Sequence, residues 1–160
     1  MHIGITEAGM GERGVIKSAV GTGALLLEGI GDTIRVSLTG DPVQEISAAR
    51  HILSATGLLP GAVNVVSCPT CGRCKGDLAR LASEIVRVAE KLEFQRSNPR
   101  PLTIAVMGCA VNGPGEASHA DVGVALGDGN AVLFLGGRLL RSLSYDEIIP
   151  ALLSEIRRLA

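Results

Sequence analysis

All four cysteines of this chain fall in two short segments, and that distribution constrains the fold more than any other feature. Three occur in Ser67-Cys68-Pro69-Thr70-Cys71-Gly72-Arg73-Cys74-Lys75; the fourth, Cys109, precedes Asn112-Gly113-Pro114-Gly115-Glu116. Thiolates separated by two residues on a Pro/Gly turn can converge on one soft metal or on an iron–sulfur cube.

The core must be aliphatic. Phe94, Phe134 and Tyr145 are the only aromatic residues in a chain of 160 that is 46% hydrophobic. That length buries one sizeable core or divides into two small units. A formal net charge of -1 gives no electrostatic case for nucleic acid or an anionic membrane, and so few aromatics provide little for base stacking. No apolar run reaches the length of a membrane span, and the N-terminus lacks the order of a signal peptide. The expectation is a cytoplasmic protein without nucleic-acid or membrane partners. In a reducing compartment, clustered cysteines point to metal or redox work before disulfides.

Periodicity divides the chain into two parts. His2 to Thr6 reads as a buried strand, and Val15 to Glu28 as a helix ended by Gly29. Asp32 to Leu38 reads as a second strand. Asp41 then caps a helix with Pro42 at its first position and Gln44 as reciprocal partner, closing at Gly57. This strand–helix–strand–helix order is that of a parallel α/β layer. Two such units cannot close a sheet, so residues 1–59 read as a piece of something larger. Residues 60–160 read as a small α+β domain. In it, Val63–Ser67 and Leu102–Met107 are strands delivering Cys68 and Cys109, and Asp77 caps a helix with Leu78, Leu81, Ile85, Val88 and Leu92 on one face. A polar connection spans 97–101. A hairpin joins 121–126 to 131–135, and Ser144 with Glu147 forms a capping box before a last helix.

A structural zinc site is the plain alternative for four cysteines. Zinc usually takes two Cys-x2-Cys pairs, whereas Cys109 stands alone and the first segment offers Cys-x2-Cys-x2-Cys. The spacing favours an iron–sulfur cube. Four thiolates would close such a cube for electron transfer alone. A carboxylate in place of one binds iron less tightly and can leave it open as a Lewis acid. Glu116 is the candidate carboxylate, against its reading as a solvated loop residue.

Cys68-Pro69-Thr70-Cys71-Gly72-Arg73 with Gly108-Cys109-Ala110-Val111-Asn112-Gly113-Pro114-Gly115-Glu116 resembles the cluster domain of the 4-hydroxy-3-methylbut-2-enyl diphosphate synthases. His2 to Gly9 and Gly29 to Ser37 resemble the last strands of the same family's catalytic barrel. The resemblance covers essentially the whole chain. It implies a C-terminal fragment of a TIM-type (β/α)8 barrel followed by a small α+β domain, with a 4Fe-4S cluster held by Cys68, Cys71, Cys109 and Glu116. Cys74 departs from the family pattern, where a hydroxyl residue is usual, and is a competitor for Glu116. The implied reaction is reductive ring opening of 2-C-methyl-D-erythritol 2,4-cyclodiphosphate in the non-mevalonate isoprenoid pathway. Reduced flavodoxin or ferredoxin is the implied electron donor, and a homodimer the implied assembly.

In the barrel segment, Glu7 follows a strand and precedes a Gly-rich loop, where barrel enzymes place catalytic groups; the resemblance makes it an acid/base or substrate-positioning residue. Arg35 and Ser37, alternate residues on a strand, are expected to face the same site, with Arg35 suited to a phosphate. Lys17 reads as a solvated helix residue and His51 as a packing residue. Family members carry a complete barrel, whereas this chain starts near the seventh strand. A truncated gene or partial sequence, with little or no turnover from the chain alone, is therefore the expectation. A stand-alone electron-transfer module and a zinc module used for interaction are the rivals.

Overall fold

The computed structural model describes residues 1–95 and 98–159, in two units, Met1–Pro60 and Gly61–Ala160. The chain is α/β, with one parallel two-stranded sheet and one mixed five-stranded sheet. Of the polar connection expected over 97–101, Ser97 lies outside the described residues, as does Ala160.

In the first unit, β1 (His2–Gly4) pairs in parallel with β2 (Thr33–Arg35), Ile3 opposite Ile34. Helices α1 (Gly11–Leu27) and α2 (Pro42–Ala55) cover one face. There Ile3, Leu26, Val36, Ala48 and Ile52 form an aliphatic core. Both helices end as the glycines dictate: Gly29 and Gly57 take positive φ. The N–H groups of Ile30 and Leu58 then reach back to the carbonyls of Leu25 and Leu53, satisfying carbonyls that the last turn would leave orphaned.

Several boundaries differ from the sequence expectation. Both strands are shorter than read, because each has a single partner and the ladder stops at Gly4–Arg35. Helix α1 starts four residues before Val15. The helix runs through Gly14, where a Cβ would stand 2.7 Å from Leu38 Cδ2, so the bare glycine lets Leu38 pack against the first turn. At α2, Asp41 Oδ1 accepts from the Val43 N–H, but Gln44 is not the reciprocal partner. Glu45 instead accepts from the Leu38 N–H at 2.8 Å.

In the second unit the sheet order is β3-β4-β5-β6-β7. Strands β3 (Val63–Ser67), β4 (Leu102–Met107) and β5 (Val122–Leu126) run parallel. Strands β6 (Ala131–Leu135) and β7 (Arg138–Leu143) complete the sheet antiparallel. One face packs Ile104, Val106, Val122 and Val124 against α3 (Leu78–Gln95) and α5 (Ile148–Leu159). The other face, with Ala105, Met107, Ala125 and Phe134, is covered by Ala117 and Ala120. Burial on both faces explains why β4, apart from Thr103, and β5 read as apolar runs rather than alternating ones. The capping box forms as expected, Glu147 Oε2 accepting from both the N–H and the hydroxyl of Ser144.

Strand β7 is absent from the sequence reading. Gly136 and Gly137 both have positive φ (51° and 75°), and Leu135 pairs with Arg138 across them. Two consecutive positive-φ residues are what a tight hairpin needs. The Gly-Gly pair was the available signal; it was masked because all of β7 except Leu143 is exposed, so no apolar pattern marks it.

Candidate functional site

The cysteines meet because two parallel strands end side by side. Ser67 pairs with Val106, and neighbouring strands lie about 4.8 Å apart. Cys68 therefore leaves β3 beside the last residues of β4, and Cys109 follows Gly108 off the end of β4. Two hydrogen bonds tie the two ends together, and a third closes the cysteine turn on itself. The Gly108 N–H donates to Cys68 Sγ at 3.2 Å, the Lys75 N–H donates to the Gly108 carbonyl at 2.8 Å, and the Cys74 N–H donates to the Cys71 carbonyl at 2.9 Å. A Cβ on Gly108 would sit 2.8 Å from Cys74 Sγ, so a glycine here lets the cysteine turn lie directly on the backbone before Cys109.

Beyond Cys109 the chain does not form an open loop. The Gly113 N–H donates to the Cys109 carbonyl, the Glu116 N–H donates to the Asn112 carbonyl, and Gly113–Glu116 is a single helical turn, α4. Gly113 is buried against the sheet; a Cβ there would stand 2.6 Å from Met107 Cβ and 3.1 Å from Ala125 Cβ. That close approach fixes where Glu116, at the end of the turn, is presented.

The result is one cavity of about 200 Å³ lined by Cys68, Pro69, Cys71, Arg73, Cys74, Gly108, Cys109, Asn112 and Glu116. Four sulfurs, one carboxylate and the Arg73 guanidinium thus share a space at the carboxyl ends of parallel strands, a recurrent place for ligands in such sheets. Among the described residues no three His, Cys, Asp or Glu side chains are gathered into a metal-holding group. Soft thiolates lining one cavity, with a backbone N–H already donating to one sulfur, are the donor chemistry that an iron–sulfur cube takes. Cys71 and Glu116 are exposed, whereas Cys68, Cys74 and Cys109 are half-buried. Burial pushes the Cys74 thiol up from its ordinary value, and the neighbouring Cys68, Cys71 and Cys109 sulfurs push it the same way.

In the first unit, Glu7 is the one non-glycine residue with positive φ (58°) among those described, a conformation that costs energy and is often kept at functional positions. Arg35 donates to Thr6 Oγ1 at 2.7 Å, which sets its guanidinium beside the Glu7 turn. The Thr39 N–H donates to the Gly9 carbonyl, so the segments leaving β1 and β2 are joined. Ser37 lies past the end of β2, separated from Arg35 by buried Val36. Lys17, read as merely solvated, places Nζ 3.4 Å from the Glu7 carbonyl. Sequence reasoning had no signal for it, since the contact spans a turn. His51 is exposed rather than packed, on the outer side of α2.

Comparison with known proteins agrees with the motif reading. Residues 64–158 match the GcpE protein C-terminal domain, and residues 1–50 match the GcpE TIM-barrel domain. Three similar proteins carry the name 4-hydroxy-3-methylbut-2-en-1-yl diphosphate synthase (flavodoxin). The protein of Caldanaerobacter subterraneus is 52% identical over 99% of this chain and 43% of its own length. That of Corynebacterium jeikeium is 49% identical over 100% of this chain and 40% of its own, and that of Thermodesulfovibrio yellowstonii 46% over 99% and 44%. The chain thus spans less than half the length of these relatives. Among the described residues no helix is long and apolar enough to cross a membrane.

Proposed function

The chain belongs to the GcpE family, and on that premise we propose that it carries the iron–sulfur part of a 4-hydroxy-3-methylbut-2-enyl diphosphate synthase together with part of its substrate site. The reaction is reductive ring opening and dehydroxylation of 2-C-methyl-D-erythritol 2,4-cyclodiphosphate. Reduced flavodoxin, which the relatives' names include, or ferredoxin supplies the electrons. The observation that carries the reading is the single cavity lined by all four cysteines and Glu116.

Cys68, Cys71, Cys109 and Glu116 would hold a 4Fe-4S cluster in a small α+β domain spanning residues 60–160. When bound, that cluster passes electrons singly and offers Lewis acidity at the iron with the most labile ligand. Everything else falls to the chain's own groups. The Gly108 N–H, donating to Cys68 Sγ, stabilises negative charge on that sulfur. Arg73 in the cavity wall offsets part of the charge of three thiolates and a carboxylate. In residues 1–59, which we assign to the end of a catalytic barrel, Arg35 is oriented by Thr6 to grip a phosphate of the substrate, and Ser37 adds a hydroxyl donor. Glu7 holds or delivers the proton with which a substrate oxygen leaves as water. Electrons and atoms balance: two electrons and two protons enter, the ring C–O bond and the C–O bond of the departing hydroxyl break, a carbon–carbon double bond forms between those two carbons, and the released oxygen leaves as water. In the whole enzyme a homodimer working in the cytoplasm fits the reading.

Titrating the reconstituted chain anaerobically with reduced flavodoxin tests the electron path. Bleaching of the cluster's visible absorption, together with reappearance of oxidised flavodoxin, is the expected result. No electron exchange under conditions where dithionite does bleach the cluster would overturn the flavodoxin assignment.

A further inference from the structure

The cavity holds five donors, one more than a cube with four corner irons requires. Two of them differ in how the fold holds them. Glu116 is exposed at the end of a one-turn helix, and no group among the described residues is hydrogen-bonded or ion-paired to its carboxylate. Cys74 is half-buried, packed against the core that includes Leu78, and held on both sides of its backbone. Its own N–H is bound to the Cys71 carbonyl, and the next N–H to the Gly108 carbonyl. Its sulfur rests on Gly108, beside Cys109; the thiol makes a long hydrogen bond to the Gly76 carbonyl at 4.0 Å, and the Leu78 backbone N–H also bonds to the sulfur. A free carboxylate on a short arm can leave; a thiol held only by weak hydrogen bonds, on a turn between two other cysteines, can take its place.

We infer that Cys74 is a reserve ligand, which closes the cube with a fourth thiolate whenever Glu116 is off the iron. This rests on the cluster assignment above and deepens it. The exchange is a ligand substitution without net redox change. The bond broken is Glu116 carboxylate–iron, the bond formed is Cys74 Sγ–iron, and the thiol proton passes to solvent. Its consequence is protective. A cube held by only three thiolates has an open corner, and an oxidant removes one electron and lets that iron leave as ferrous ion. With Cys74 in place the corner stays covered. Thiolate is also the stronger ligand for iron, so the fold must hold Cys74 back while Glu116 is bound; its packing on Gly108 and Leu78 does this.

The test uses the whole chain, anaerobically reconstituted with iron and sulfide, as wild type, Glu116→Ala, and Glu116→Ala/Cys74→Ser. Each is treated with ferricyanide as the electron acceptor, and iron content, EPR spectra and Mössbauer spectra are recorded before and after. The expected result is that Glu116→Ala keeps its full iron content, with the Mössbauer spectrum of an all-thiolate cube. The double variant loses one iron per cube and gives the EPR signal of a three-iron cluster. Equal iron loss from the single and double variants would overturn the role of Cys74 while leaving the cluster assignment standing. A wild-type chain that takes up zinc but no iron and sulfide would overturn both. Misfolding is separated from ligand loss by far-ultraviolet circular dichroism of the three apoproteins, which should coincide.

Discussion

Replacing Gly113 with alanine isolates the contact that positions Glu116. The new Cβ would lie 2.6 Å from Met107 Cβ and 3.1 Å from Ala125 Cβ. Both neighbours are the first side-chain atoms of residues on β4 and β5, the two most buried strands, so neither can rotate away. The one-turn helix must move outward by on the order of 1 Å, the gap between 2.6 Å and an ordinary carbon–carbon contact. Overpacking of this kind costs about 1–3 kcal/mol, and each kcal/mol corresponds to about 2–4 °C in Tm for a chain of this size. Gly115→Ala is the matched control, since nothing lies within 4 Å of its Cβ position and its backbone is not left-handed. Thermal unfolding followed by circular dichroism should show a clear drop for Gly113→Ala and almost none for Gly115→Ala. Reconstituted Gly113→Ala should also lose the spectroscopic signature of an oxygen-ligated iron, because Glu116 moves with the turn. Equal stability of the two variants would refute the claim that Gly113 is a packing device.

Further outcomes follow from the same structure. Ile104 is fully buried between the sheet and the helices α3 and α5, so Ile104→Ala should lower stability by about 2–5 kcal/mol, read from the denaturation midpoint in urea. Glu147 accepts from the Ser144 N–H and then from its hydroxyl, and these bonds hold its carboxyl below the usual carboxylate range. A lowered folded-state pKa gives stability that is present above the unfolded value and lost as pH falls through the folded one. The stability advantage of wild type over Glu147→Gln should therefore be present at neutral pH and shrink as pH drops through and below the carboxylate range. A pH-independent difference would mean that the capping box contributes through shape alone. Arg35→Lys keeps the charge but loses the fork that donates to Thr6, and should weaken binding of inorganic diphosphate, measured by calorimetry, more than Arg13→Lys on the exposed side of α1.

Much of the fold was legible where local rules and tertiary packing agreed. Strands β3 and β4 could be read to the residue because their branched and apolar residues, interrupted only by Asn64 and Thr103, run up to Ser67-Cys68 and Gly108, and helix α3 because Leu78, Leu81, Ile85, Val88 and Leu92 repeat on one face, of which Leu78 and Ile85 are buried. Asp41 and Ser144 mark helix starts by chemistry that needs no partner elsewhere. What escaped depends on contacts distant in sequence. Helix α1 begins early because Leu38 packs on Gly14, and β7 forms because β6 offers it an edge, with little burial to pattern it. At the site, the motif named residues that line the cavity but not their differing restraint. That Cys74 is clamped while Glu116 is free follows only from the Gly108 and Lys75 contacts across two strand ends.

The ligand set itself is tested most directly by Mössbauer spectroscopy of the chain reconstituted anaerobically with isotopically enriched iron and sulfide. The cavity of Cys68, Cys71, Cys109 and Glu116 predicts a cube in which one iron is distinct from the rest because its protein ligand is oxygen. A spectrum of equivalent thiolate-bound irons in the wild-type chain would contradict it, as would uptake of zinc in place of iron and sulfide.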